Sequence, residues 1–319
     1  MKFRTEIESK PLKIEIDHKN KILTVGSCFA SNIAERLVGS KFDCTANPTG
    51  ILFNPKSIAE ALTRYRRAGE LSADDLICSG DLWFSYDFHG SFSDTTQSVA
   101  LERMNRGLRL GAEALKGADR VVVTFGTAWI YERDGCVVAN CHKQPASTFQ
   151  RRRLSVGEIV ADFSTLLTTS LADKEVIFTV SPIRHVGDGL VDNSLSKSIL
   201  RVAIAELVES HSNAHYFPSY EILMDDLRDY RFYAEDMTHP TPQAIEYIWG
   251  RFQAMSLSAN AQMIIPRIEK IVVAANHRPL NAASDGYKNF CRKQLKEIES
   301  LSQVDFAAQK DFFERVLGL

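Results

Sequence analysis

The chain has 319 residues, of which 45% are hydrophobic and 24% charged, enough ordinary globular sequence to bury a sizeable core. Its 38 basic and 40 acidic residues leave a net charge of −2, so no global field draws it to nucleic acid or a membrane surface. No apolar run reaches the length of a membrane span, and the charged start, MKFRTEIESKPLKIEIDHKNK, lacks the apolar stretch of a secretion signal. Cys28, Cys44, Cys78, Cys136, Cys141 and Cys291 show no C-x-x-C spacing, which predicts reduced thiols in a cytoplasm and speaks against a zinc site.

Apolar runs of strand type alternate with runs of helical period, the pattern of a mostly parallel sheet covered by helices on both faces. ILTV at 22–25 is the first buried strand. In the helix that follows, Ala30, Ile33, Ala34 and Leu37 share one face, with Asn32, Glu35 and Arg36 opposite. Residues 56–67 form a second helix, and the alternation of 82–92 reads as an inserted strand or hairpin arm. A long helix over 98–115 stops at Gly117 and leads to the strand RVVVTFG at 120–126. Residues 129–141 form a hairpin turning at Asp134-Gly135. Arg151, Arg152 and Arg153 read as a solvated surface. Next come a helix over 156–171, a strand over 175–183 ended by Pro182, a helix over 194–210 and a strand over 214–222. The loop DMTHPTP at 236–242 opens onto the helix QAIEYIWGRFQAM. Composition shifts after Ser258, so residues 1–258 are expected to form the α/β domain and 259–319 a helical extension, serving as a cap or an oligomerisation arm.

Ligands of such sheets collect beyond the carboxyl ends of the strands, where Gly26 and Ser27 lie. Ser27 also sits at a helix N-terminus, where its own N–H is placed to stabilise an oxyanion; the competing reading is a plain N-cap. Cys28, one step on, is assigned to the core as a small hydrophobe. A serine nucleophile needs a base oriented by a carboxylate, and Asp236 stands three residues before His239 in a tight loop. Gly126 and Thr127 end a strand on the same side and supply either a further oxyanion donor or only a turn. Gly50, in the turn NPTG, offers the same pair of readings. Asn140, His142 and Lys143, and Arg184 and His185 beyond the next strand, are candidates to orient a polar or anionic substrate, or else are solvated loop residues.

GSCFA at 26–30, followed in order by NPTGILFNPKSI, DFHGSFS, FGTAWIY, VANCHKQP, SPIRHVGDG, DMTHPTP and NHRPLN, resembles the GSCFA family, a branch of the SGNH (GDSL-like) hydrolase superfamily, over roughly residues 15–290. The resemblance implies a three-layer α/β/α sandwich and acyl-ester chemistry without a cofactor. It casts Ser27 as nucleophile, Asp236 and His239 as its partners and Gly50 as an oxyanion donor. Two departures stand out: the commoner signature carries an aspartate before the nucleophile, where this chain has Gly26, and the usual G-x-N-D block reads Gly126-Thr127-Ala128-Trp129, without the donor asparagine.

These readings lead to a serine esterase acting on small acyl esters of a polar carrier such as a carbohydrate, needing no metal. Two rivals are an acyltransferase using the same triad and a non-catalytic binding module of the same fold. The acyl group, the carrier and the oligomeric state are not written in the sequence.

Overall fold

The computed structural model describes residues 5–281 and 284–319. Five β-rich runs pair in parallel. They are β1 (Lys21–Gly26), β2 (Asp43–Ala46), β5 (Arg120–Phe125), β9 (Glu175–Val180) and β10 (Ala214–Tyr216), in the order β10-β9-β5-β1-β2. The register sets Gly26 against Thr124 and Thr124 against Thr179, so the strands end nearly level. The chain moves from β1 outward to β2 and returns to β5 on the other side of β1. That reversal makes the carboxyl edge between β1 and β5 the natural ligand crevice.

Alternation along each strand sorts side chains to opposite faces. Leu23, Val25, Val121, Val123, Phe125, Val176 and Phe178 pack on one side with α2 (Pro55–Arg67), α3 (Gln97–Gly117), α4 (Val156–Thr168) and α5 (Gly189–Ser210). Ile22, Val122 and Ile177 face the other way, against α1 (Cys28–Gly39) and α7 (Pro242–Ser256). The three-layer α/β/α sandwich expected from the sequence is therefore present. α8 (Ala259–Asn276) presents Ala261 and Ile265 to the second of these cores. Its Ile264, Ile268 and Ile271 pack instead with Cys291 of α9 (Asp285–Glu299) and Phe313 of α10 (Ala307–Leu317). One helix thus shares its faces between the sandwich and the C-terminal helices. Among the described residues, no helix is long and apolar enough to cross a membrane.

Some local expectations need correction. Within 82–92 only β4 (Leu82–Phe84) is extended, paired with β3 (Ile77–Ser79); a loop follows and ends in a 3₁₀ turn at Gly90–Phe92. The 214–222 strand ends at Tyr216, because the chain turns at Pro218 into α6 (Ser219–Glu221), which runs on as a wider helical turn over Ile222–Leu227. The hairpin joins β6 (Trp129–Arg133) to β7 (Cys136–Val138) through Asp134 and Gly135, with φ of 50° and 78°. The arginine run is itself a strand, β8 (Gln150–Arg153), paired with the other edge of β6.

Candidate active site

At the end of β1 the backbone is crowded. A Cβ on Gly26 would lie 2.1 Å from the Thr124 carbonyl oxygen, and φ there is +132°, so only glycine fits. The approach lets the Ser27 N–H donate to Thr124 O at 3.1 Å. Ser27 takes the extended N-cap conformation of α1, yet its side chain makes no capping bond. It is 1% exposed and its Oγ is buried without a partner. Its Cβ packs beneath Gly126, 3.3 Å from where a Cβ of that glycine would stand. The hydroxyl expected to be the nucleophile therefore makes no contact with an imidazole.

Cys28, assigned to the core from sequence, packs against the second core but is only half-buried and also lines the crevice, with its Sγ 4.0 Å from Nε2 of His239. That is the outer edge of a sulfur hydrogen bond, the range in which such pairs often sit before substrate tightens them. Burial pushes the thiol pKa up; the N–H groups of Cys28 and Phe29 at the helix start and the charge of Lys197 only partly offset it.

The imidazole is held by its own loop. Met237, at φ 57°, folds the chain so that Asp236 Oδ1 accepts the N–H groups of Thr238 and His239, each at 2.9 Å. Asp236 Oδ2 then lies 2.6 Å from His239 Nδ1. The backbone N–H of His239, that of Thr238 and the ring all favour the ionised carboxylate, whose pKa falls well below the usual range. A carboxylate at Nδ1 fixes the proton there and leaves the Nε2 lone pair facing the thiol. Arg184 N–H donates to Thr238 O at 3.2 Å and ties this loop to the segment beyond β9.

These groups open into one cavity of about 520 Å³, lined by Cys28, Asn54, Trp129, Asn140, Arg184, His185 and His239, among others. Of the residues expected to bind substrate, Asn140, Arg184 and His185 line it. His142 does not: its ring stacks on Phe84 at 4.2 Å and bonds to the Ser85 carbonyl. Lys143 is exposed and lies outside the lining. Burial, with the nearby charges of Lys197 and His239, lowers the His185 pKa to about 4, so this ring is neutral at pH 7.

None of the expected oxyanion donors is free. Ser27 N–H is held by Thr124 O, Gly50 N–H by Asn47 O at 2.8 Å, and Gly126 and Thr127 N–H by Phe53 O at 2.8 and 2.9 Å. The Thr127 hydroxyl is bonded to Ser196 at 3.1 Å. Two other donors belong to residues that line the cavity. One is the N–H of Cys28, in the first turn of α1, where no intrahelical acceptor exists. The other is Asn54, which the sequence reading passed over. Its Oδ1 caps α2 by accepting Ser57 N–H at 2.8 Å, so its NH₂ is the half left for the cavity it lines. The signal was present as Asn54-Pro55, a helix start just after a buried Leu52.

Residues 21–252 match the model of the GSCFA family, and residues 268–317 match that of the GSCFA domain protein, C-terminal domain. No curated protein matches the chain. The family match covers most of the sequence, and the chain belongs to the GSCFA family.

Proposed function

For this member of the GSCFA family we propose an acyl-ester or thioester hydrolase whose nucleophile is Cys28, not Ser27. The observation that carries the reading is the line Cys28 Sγ–His239 Nε2–Asp236, with 4.0 Å and 2.6 Å at its two links, opening into a cavity. Because burial keeps the thiol protonated, His239 acts as general base at the moment of attack. Sγ adds to the acyl carbon while the thiol proton passes to Nε2. The carbonyl oxygen becomes an oxyanion held by the Cys28 N–H and the Asn54 NH₂. The intermediate collapses, and the leaving alkoxide or thiolate takes the proton from His239. Water then attacks the thioester with His239 as base, releasing the carboxylic acid and restoring the thiol. Asp236 holds the tautomer and stabilises the imidazolium. The six free cysteines suit a reducing compartment, the cytoplasm.

Paired variants test this against the serine alternative. Cys28→Ala should lower hydrolysis of a short-chain aryl ester by a factor of about 10⁴ or more. Ser27→Ala removes a buried, unpartnered hydroxyl and should retain both fold and turnover. Turnover surviving in Cys28→Ala, or lost in a folded Ser27→Ala, refutes the assignment.

A further inference from the structure

Arg184 contributes a guanidinium to the cavity, and among the described residues no aspartate or glutamate lines it. Arg184 lies over Tyr233, 3.9 Å from the ring centroid, and 5.2 Å from that of Tyr230. It forms no ion pair with a carboxylate among the described residues. The two rings and a hydrogen bond with the Tyr233 side chain hold the guanidinium without neutralising its charge. Its backbone is pinned to Thr238, next to the catalytic imidazole, so its position relative to His239 is set by the fold. Phe53, Trp129, Tyr131 and Ile183 give the wall its apolar and aromatic part, and Asn54 and Asn140 add neutral polar groups. A guanidinium in a concave site, without a carboxylate partner among the described residues, matches the planar acceptor edge of a carboxylate or phosphate.

We infer that the substrate is an acyl ester or thioester carrying an anionic group, carboxylate or phosphate, that seats on Arg184 while the acyl carbon lies over Cys28. This rests on Cys28 being the reacting group, and the first experiment reads the anion preference without needing turnover. The whole protein is alkylated with iodoacetate and, separately, with iodoacetamide, and the rate at each cysteine is followed by peptide mass spectrometry. The ratio of the two rates at one thiol cancels its thiolate fraction and leaves the local preference for an anionic reagent. Exposed Cys78 and Cys136 serve as internal references. The ratio at Cys28 should exceed theirs by about tenfold. It should fall to the reference value in Arg184→Met and persist in Arg184→Lys. An equal ratio at Cys28 and the references, or one unmoved by Arg184→Met, overturns the inference.

The second measurement compares turnover of 4-acetoxybenzoate and 4-acetoxyphenyl phosphate with that of the neutral 4-acetoxybenzamide. The favoured anion identifies the natural group. Equal kcat/KM for all three, in an enzyme that Cys28→Ala inactivates, overturns the anionic substrate while leaving the nucleophile in place. No turnover of any ester beside a high alkylation ratio removes the hydrolase and keeps the anion site.

Discussion

Burial strains the charge of Lys197, and the consequence can be measured. It is 1% exposed, on α5 beneath the crevice, and donates to the carbonyl oxygens of Gly126 and Ser181, each at 2.7 Å. Those carbonyls end β5 and β9, so the ammonium ties together the two strand ends flanking the site. Burial lowers its pKa from 10.5 to about 7. In the unfolded chain the lysine binds its proton up to about pH 10.5; in the folded protein it releases it near pH 7. Between these values the unfolded state holds more protons, so stability rises with pH. The contribution is fully present above the unfolded value and is lost as pH falls through the folded one. The shift spans 3.5 units (10.5 less about 7), equivalent to about 5 kcal/mol in all. Of this, about 2 kcal/mol develops between pH 7 and pH 9. The perturbation is Lys197→Met, and the assay is urea unfolding of both proteins from about pH 5 to pH 9. The variant loses two hydrogen bonds, which sets the intercept of the difference but not its slope. The stability of the parent relative to the variant should be flat below pH 6 and then climb toward 1.4 kcal/mol per pH unit. A difference that stays flat to pH 9 refutes the claim that this ammonium is strained by burial.

Two further tests address the chemistry. Asn54→Asp keeps the oxygen that caps α2 but removes the NH₂ donor, so kcat should fall by about 10²–10³ with the melting temperature preserved; an unchanged kcat dismisses Asn54 as an oxyanion donor. Asp236→Asn replaces the acceptor at His239 Nδ1 and favours the wrong tautomer, which should lower kcat by about 10⁴ while leaving circular dichroism unchanged.

The architecture was legible because it rests on patterns local to each segment. Leu23 and Val25 on one face of a strand and Ile22 on the other say which layers lie above and below. The loop from Asp236 to His239 was legible for the same reason, since the carboxylate caps its own turn three residues on. The oxyanion donors were not, because the commitment of an amide depends on which distant carbonyl crosses it. Phe53 O takes both Gly126 and Thr127, and nothing in the sequence near those residues announces Phe53. Arg151 is exposed, as the arginine run suggested, but the sequence does not show that it also lies 4.0 Å from the Trp129 ring, on the strand pair that builds the cavity wall.

The choice between Ser27 and Cys28 turns on helix phase. Cys28 does pack against the second core as a small hydrophobe, yet it is only half-buried and also lines the crevice. The buried stripe of α1 is Phe29, Ala30, Ile33, Ala34 and Leu37. Cys28 falls in step with Asn32 and Glu35, at i+4 and i+7, on the face turned from that stripe. A helix advances by about 100° per residue, so Ser27 and Cys28 cannot both look into the crevice from the same turn. The close crossing at Gly26 decides between them by folding Ser27 under Gly126. Gly26 itself is fixed by its +132° φ and the nearby Thr124 carbonyl. Helix phase and backbone crowding thus independently select the residue whose thiol faces His239.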